Sequence, residues 1–312
     1  MTELDATEIR EAAPSRKPFY AAFAGNVVIA AAKFVAAFVT GSSAMMAEGF
    51  HSTVDATNNV LMLFGIRRSS RAPTAEHPFG FGKELYFWSL IVAVVIFGIG
   101  GGVSIYEGGV RLVHPEPLGE PIWNYGVLLI SLLADGATLV FAYREFRPHQ
   151  GRRGIWQGIR KSKDPTKFTV VLEDGAATIG IVIAAAGVAL TQWTHEPRYD
   201  AAASVLIGLL LCTIALILAV ESKGLLLGES AAEETIEAIR RIVEQDADVV
   251  GVRNILTMHL GPAELLLNLD VQFDQELGFA EIAKAIERLE SAIRRGHAEV
   301  KQIFIEARAL RR

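Results

Sequence analysis

The sequence predicts an α-helical membrane protein, with six transmembrane helices followed by a small α+β cytoplasmic domain of αββαβ order, ferredoxin-like in kind. Three observations predict it. The 312 residues are 51% hydrophobic and 21% charged, with a mean hydropathy of +0.32. A soluble domain carries about 25% charged residues and does not average out apolar. Apolar runs close to the ~20 residues needed to cross a ~30 Å hydrocarbon core recur six times. Beyond Val220 the character changes, with 17 acidic and 12 basic residues and no long apolar run. The net charge of −5 offers no basic field to a nucleic acid. A single cysteine, Cys212, permits neither an internal disulfide nor a thiolate metal cluster. Set among Leu210, Leu211, Ile214 and Leu216, it reads as a buried spectator thiol.

Residues 1–17 mix acidic and basic side chains and contain no apolar h-region, so they read as a cytoplasmic tail rather than a signal peptide. Residues 18–220 hold the spans: Pro18 to Thr40, Ser43 to Ile66, Glu84 to Val110, Trp123 to Tyr143, Phe168 to Gln192 and Ala201 to Val220. The second is the least hydrophobic, carrying Glu48, His51, Asp55, Asn58 and Asn59, and a hydropathy window could pass over it. Basic residues fix the orientation. Arg67, Arg68, Arg71 and Lys83 occupy the second-to-third connection. Arg144, Arg147, Arg152, Arg153, Arg160, Lys161, Lys163 and Lys167 occupy the fourth-to-fifth. The opposite loops hold only Arg111 and Arg198. Both termini are therefore expected in the cytoplasm.

Residues 221–312 read as a separate domain. Ser230-Ala231-Ala232-Glu233 has the form of a capping box, followed by Ile236, Ile239, Ile242 and Val243 at helical spacing. A strand from about Gly251 to Leu260 leads through the turn pair Gly261-Pro262 into a second strand. There Leu265, Leu267, Leu269, Val271 and Phe273 alternate with polar residues. Ile282, Ile286, Leu289 and Ile293 mark another helix, and a last strand spans about Glu299 to Ala307. Some 90 residues make a modest independent core, so docking or dimerisation is expected.

Charged groups at bilayer depth cost about 2.5–3.5 kcal/mol each on insertion scales, so each needs a reason. His51 and Asp55, four apart, share a face of the second helix, and Asn59 continues it. A His-x-x-x-Asp pair is commonly structural. This one lies mid-membrane, and the fifth helix carries its own acidic pair, Glu173 and Asp174. One imidazole with two or three carboxylates is a nitrogen–oxygen donor set for a divalent cation, suited to zinc and less well to manganese or cobalt. Asn26 and Lys33 read as packing and snorkelling residues. Asp135 reads either as a proton or cation relay or as a buried hydrogen-bonded acid. Asp200 is expected at the hydrated outer end of the sixth helix. The run Gly98-Ile99-Gly100-Gly101-Gly102 follows no strand and precedes no Lys-Ser/Thr pair, so it reads as close helix packing rather than a phosphate loop.

Several strings carry a family resemblance. Gly41-Ser42-Ser43-Ala44-Met45-Met46-Ala47-Glu48 leads into His51-Ser52-Thr53-Val54-Asp55. His77-Pro78-Phe79-Gly80-Phe81-Gly82-Lys83-Glu84 opens the third span. Leu225 to Ala231, LLLGESA, leads into the tail. Together they resemble the cation diffusion facilitator family. The run from Val170 to Ala177 resembles the branch that contains zinc transporter nine. The resemblance implies His51, Asp55 and Asp174 as metal positions. Many members also carry His or Asp four residues before the fifth-helix Asp, where this chain has Val170. The fourth ligand therefore lies open among Glu173 (about 100° around the helix from Asp174), Asn59, Glu48 and water. Accessory sites look depleted. His77 stands without a full loop set, and His259 and His297 read as ordinary surface residues.

The function so implied is export of a divalent cation, Zn²⁺ first, across the cell inner (cytoplasmic) membrane as a homodimer. Alternating access would exchange metal for H⁺, because ligands must lose protons to bind metal. His51 would be the proton carrier, since an imidazole's ordinary pKa is about 6.5. The alternatives are a transporter preferring Mn²⁺, Co²⁺ or Fe²⁺, a metal-responsive scaffold with little flux, and a channel. No nucleic-acid partner, enzymatic activity or prosthetic group is expected.

Overall fold

The computed structural model describes residues 17–146 and 162–308. The N-terminal tail expected over residues 1–17 lies outside them except for its last residue, as do Arg147, Arg152, Arg153, Arg160 and Lys161 of the basic loop. Six long helices come first: α1 (Lys17–Thr40), α2 (Ser43–Ser69), α3 (Glu84–Val113), α4 (Ile122–Phe146), α5 (Pro165–Thr194) and α6 (Arg198–Leu227). Then follow α7 (Glu233–Glu244), β1 (Val249–Gly261), β2 (Glu264–Phe273), α8 (Phe279–Gly296) and β3 (Val300–Arg308). Both the six helices and the αββαβ order match the sequence expectation.

Five of the six are apolar and long enough to cross a membrane: α1, α3, α4, α5 and α6. The 27 residues of α2 give about 40 Å of helix at 1.5 Å per residue. Length suffices; composition does not, because α2 carries the polar residues noted above. The chain packs as two compact units. Of the described residues, the first takes those within Met1–Val60, Val95–Ala137 and Gly175–Cys212, and the second those within Leu61–Val94, Thr138–Asp174 and Thr213–Arg312.

In the first unit, Gly41 separates α1 from α2 with φ of 72°, a left-handed turn that only glycine adopts at no steric cost. The turn is closed by Gly41 N donating to the Ala37 carbonyl at 2.8 Å. The amides that begin α2 would be orphaned in an apolar setting. Asp200 of α6 accepts them. Ser43 N and Ala44 N donate to its carboxylate at 2.6 and 3.2 Å, and the hydroxyls of Ser42 and Ser43 donate at 2.6 and 2.9 Å. Asp200 is 3% exposed. The expectation of a hydrated acid is therefore corrected: hydrogen bonds at a helix N-terminus replace the water.

The glycine run of α3 does bring two helices together, as expected. A Cβ at Gly101 would overlap Cys212 Sγ and lie 3.0 Å from the Gly208 carbonyl. Cys212 is half-buried rather than buried. Ile96–Gly102 also winds as a π-helical segment, which the sequence reading had not anticipated.

In the second unit the C-terminal sheet has the order β1-β2-β3, with β1 and β2 antiparallel and β2 and β3 parallel through α8. The alternating residues of β2, Leu265, Leu267, Leu269, Val271 and Phe273, are all buried. They pack with Ile239 and Val243 of α7 and Leu289 and Ile293 of α8. The capping box at Ser230 does not form. Helix α7 starts at Glu233 behind Ala232, which offers no side-chain cap. The Ala231 amide turns instead to Thr257 Oγ1 at 2.9 Å. Arg288 of α8 donates to Asp246 at 2.9 and 3.1 Å and to Asp248 at 2.6 Å, and this holds the Asp246 carboxyl below the usual carboxylate range.

His259 is buried, which corrects the surface reading. Its strand meets the junction after α6, where the His259 amide donates to the Glu229 carbonyl at 3.0 Å and Glu229 ion-pairs with Lys163. Burial, with the Lys163 ammonium nearby, lowers the imidazole's pKa. His297 is half-buried, with Nδ1 3.2 Å from Glu299.

Replacing Asp200 by Ala should lower the stability of the detergent-purified chain by about 1–3 kcal/mol, the cost of leaving buried donors unsatisfied. Thermal unfolding reads this directly, and an unchanged midpoint would contradict the capping role.

Candidate metal centre

Helix α2 places Glu48, His51, Ser52 and Asp55 within two turns, and all but the half-buried Asp55 are buried. The spacing does the positioning, since residues three and four apart are neighbours on a helix face. His51 Nδ1 lies 3.5 Å from Asp55 Oδ1, and His51 Nε2 is buried with no hydrogen-bond partner among the described residues. An imidazole beside a carboxylate, with its far nitrogen uncommitted, can offer a lone pair to a cation. Asn59 continues the face half-buried, while its neighbour Asn58 is fully buried.

The second charged feature was missed in the sequence. Lys33, deep in the 24-residue α1, is fully buried rather than snorkelling. Its ammonium donates to Glu48 Oε2 and to Ser52 Oγ, each at 2.8 Å, and lies 3.9 Å from Asp135 Oδ2 of α4. Three helices of the first unit thus converge on one cation. Asp135, left open between relay and buried acid, sits beside that charge. The missed signal was legible in principle: a lysine in mid-helix is too far from either end to snorkel. The oxygen of Glu48 not held by Lys33, Oε1, is buried without a hydrogen-bond partner among the described residues. It occupies the place where a Cβ on Gly180 of α5 would lie.

Glu173 and Asp174 on α5 belong to the second unit and are both half-buried. Val170, where many family members carry a ligand, is 41% exposed. His77 is exposed, in a turn closed by reciprocal backbone bonds with Thr74, and its ring lies 4.6 Å from that of Phe81. Among the described residues no three His, Cys, Asp or Glu side chains are gathered closely enough to hold a metal ion. The structure therefore joins His51 to Asp55 and Lys33 to Glu48 and Asp135.

Residues 19–227 match the family model for the cation efflux transmembrane domain. The chain belongs to this family, the cation diffusion facilitators. As expected of a facilitator, it is a multi-pass membrane protein. It is 34% identical over 244 residues to the proton-coupled zinc antiporter SLC30A9, mitochondrial, of Xenopus laevis, covering 78% of this chain and 44% of that protein. The human protein of the same name is 35% identical over the same length, with 43% of it covered. The facilitator thus spans less than half the length of these relatives. The manganese efflux system protein MneP of Bacillus subtilis is 25% identical over 291 residues, 93% of this chain and 95% of that one.

The crowding at Gly180 makes a measurable difference between two glycines of α5. Alanine favours a helix interior over glycine by about 1 kcal/mol. Gly175→Ala, with nothing within 4 Å of the added carbon, should hold or raise the unfolding midpoint. Gly180→Ala, which drives a carbon into the buried Glu48 carboxylate, should lower it; equal midpoints would contradict this packing.

Proposed function

We propose that this facilitator exports a divalent cation, Zn²⁺ first, in exchange for protons by alternating access. The observation that carries this reading is the His51–Asp55 pair on α2, its imidazole buried and with Nε2 uncommitted. On this reading His51, Asp55 and Asp174 are metal positions. The resemblance supplies Asp174, and Glu173 is the candidate fourth ligand, in competition with Asn59 and water. The pair His51–Asp55 offers one nitrogen and hard oxygens, a mixed set that zinc accepts well.

Proton exchange is supported by the chemistry of these donors. Metal binding requires a neutral imidazole and ionised carboxylates, so a proton that returns to them releases the ion. The relatives known as proton-coupled zinc antiporters agree in kind. The proposal places residues 1–17 and 221–312 in the cytoplasm, with 18–220 spanning the cell inner membrane. It also takes the working form to be a homodimer joined through the spans and the C-terminal domain. Manganese is a second reading, favoured by the near-complete coverage of a manganese efflux protein.

In proteoliposomes with an acidic lumen, the wild-type chain should carry zinc inward and alkalinise the lumen in step as protons leave. Asp55→Ala should cut zinc flux about 100-fold or more, given that outer-shell partners alone commonly carry 10–100-fold. Retention of full flux by this variant would refute the site. Manganese added as competitor separates the two metal readings: inhibition at concentrations below those of zinc favours manganese.

A further inference from the structure

We propose that Lys33 is a positioning and specificity-determining residue of the transport site: its ammonium withholds the Glu48 carboxylate from the ion, so that His51 and Asp55 are the ionisable donors that α2 offers. The inference rests on the transport reading above and deepens it.

Glu48, His51 and Asp55 stand at i, i+3 and i+7 on α2, the spacing of one helix face. Such a row could present three metal donors. Glu48 is the most buried of the three, at 0% exposure, and its Oε1 has no hydrogen-bond partner among the described residues. Nothing in the chemistry of its carboxylate excludes it from a metal. What holds it is Lys33. Oε2 accepts the ammonium at 2.8 Å, and a second N–H donates to Ser52 Oγ, also at 2.8 Å, on the residue after His51. Ser52 anchors the ammonium one residue from the imidazole, so the cation is fixed on two sides rather than swinging on a flexible stem. Asp135 contributes a second carboxylate at 3.9 Å.

A resident cation and a transported one compete for the same oxygens. With Lys33 present, the formal charge of Lys33, Glu48, Asp55 and Asp135 is −2, which one divalent ion neutralises. Without it the same residues carry −3 and Glu48 is released to bind. The ion would then be held more tightly and leave more slowly. A transporter must bind its cargo and let it go, so a withheld ligand favours turnover over affinity.

The test is zinc transport by the full chain in proteoliposomes, with KM and kcat separated. Lys33→Met should lower KM by about tenfold or more, on the scale of one unit charge in a poorly screened site, and lower kcat with it. Lys33→Met/Glu48→Gln, which removes both charges together, should restore KM toward that of the wild type, and Lys33→Arg should stay close to it. Glu48→Gln alone leaves the ammonium beside His51 with one carboxylate fewer and should raise KM. A purely structural Lys33 would lower the amount of folded protein without moving KM in opposite directions in the two single variants. Unchanged KM in Lys33→Met, or no restoration in the double variant, overturns the assignment. If Lys33→Met does not fold, Glu48→Gln decides, and a KM at or below wild type overturns it. If the wild-type chain carries no zinc, the transport reading fails and takes this one with it. If wild type carries zinc, Asp55→Ala does not, and the Lys33 series is flat, only the role of Lys33 falls.

Discussion

The ion pair between Lys33 and Glu48 is the constraint around which the first unit is organised. Two opposite charges lie 2.8 Å apart, with neither side chain exposed, in helices whose other residues are largely apolar. Leaving either charge alone in such a place costs about 3–5 kcal/mol, so neither helix can shift without the other. Ser52 and Asp135 extend the link within α2 and to α4. Asp200 applies the same logic at the start of α2, where its carboxylate takes up amides and hydroxyls that have no water to turn to. Helix α2 is too polar to be recognised by hydropathy, yet Glu48 and Ser52 share a partner on α1, and the residues that open the helix find one on α6. Its position is specified by these polar links together with the packing of buried apolar residues such as Met45 and Val54.

This explains which features were legible in the sequence. Helices α1 and α3 to α6 announce themselves by apolar length, and the αββαβ tail by its periods of 3.6 and 2, because both signals are local. The alternation from Leu265 to Phe273 is buried residue by residue as expected. Three readings failed for a common reason. Lys33, Asp200 and His259 were each given water as a partner, on the basis of their own segment. Each is buried against a residue far away in the chain: Glu48, Ser42 and Ser43, and the Lys163–Glu229 junction. The Ser230 box failed differently. Thr257 satisfies a backbone amide there, and the helix begins later. Tertiary partners of polar groups leave no periodic mark in a single sequence.

The candidate site was legible in part. The four-residue spacing of His51 and Asp55 predicts a shared face, and the pair forms with 3.5 Å between its polar atoms. Glu48 was weighed as a competing ligand and as an accessory or relay residue; the structure pairs it with Lys33. Membership of the cation efflux family says what kind of cargo to look for. The local chemistry of α2 adds a buried imidazole, His51, beside the half-buried carboxylate of Asp55.

The account turns on the inner coordination of the cargo ion, and zinc K-edge absorption of the metal-loaded, purified chain reads that shell directly. It should contain nitrogen and oxygen only, with one imidazole per zinc that disappears in His51→Ala. A sulfur neighbour, two or more imidazoles, or a shell unchanged by His51→Ala would contradict it.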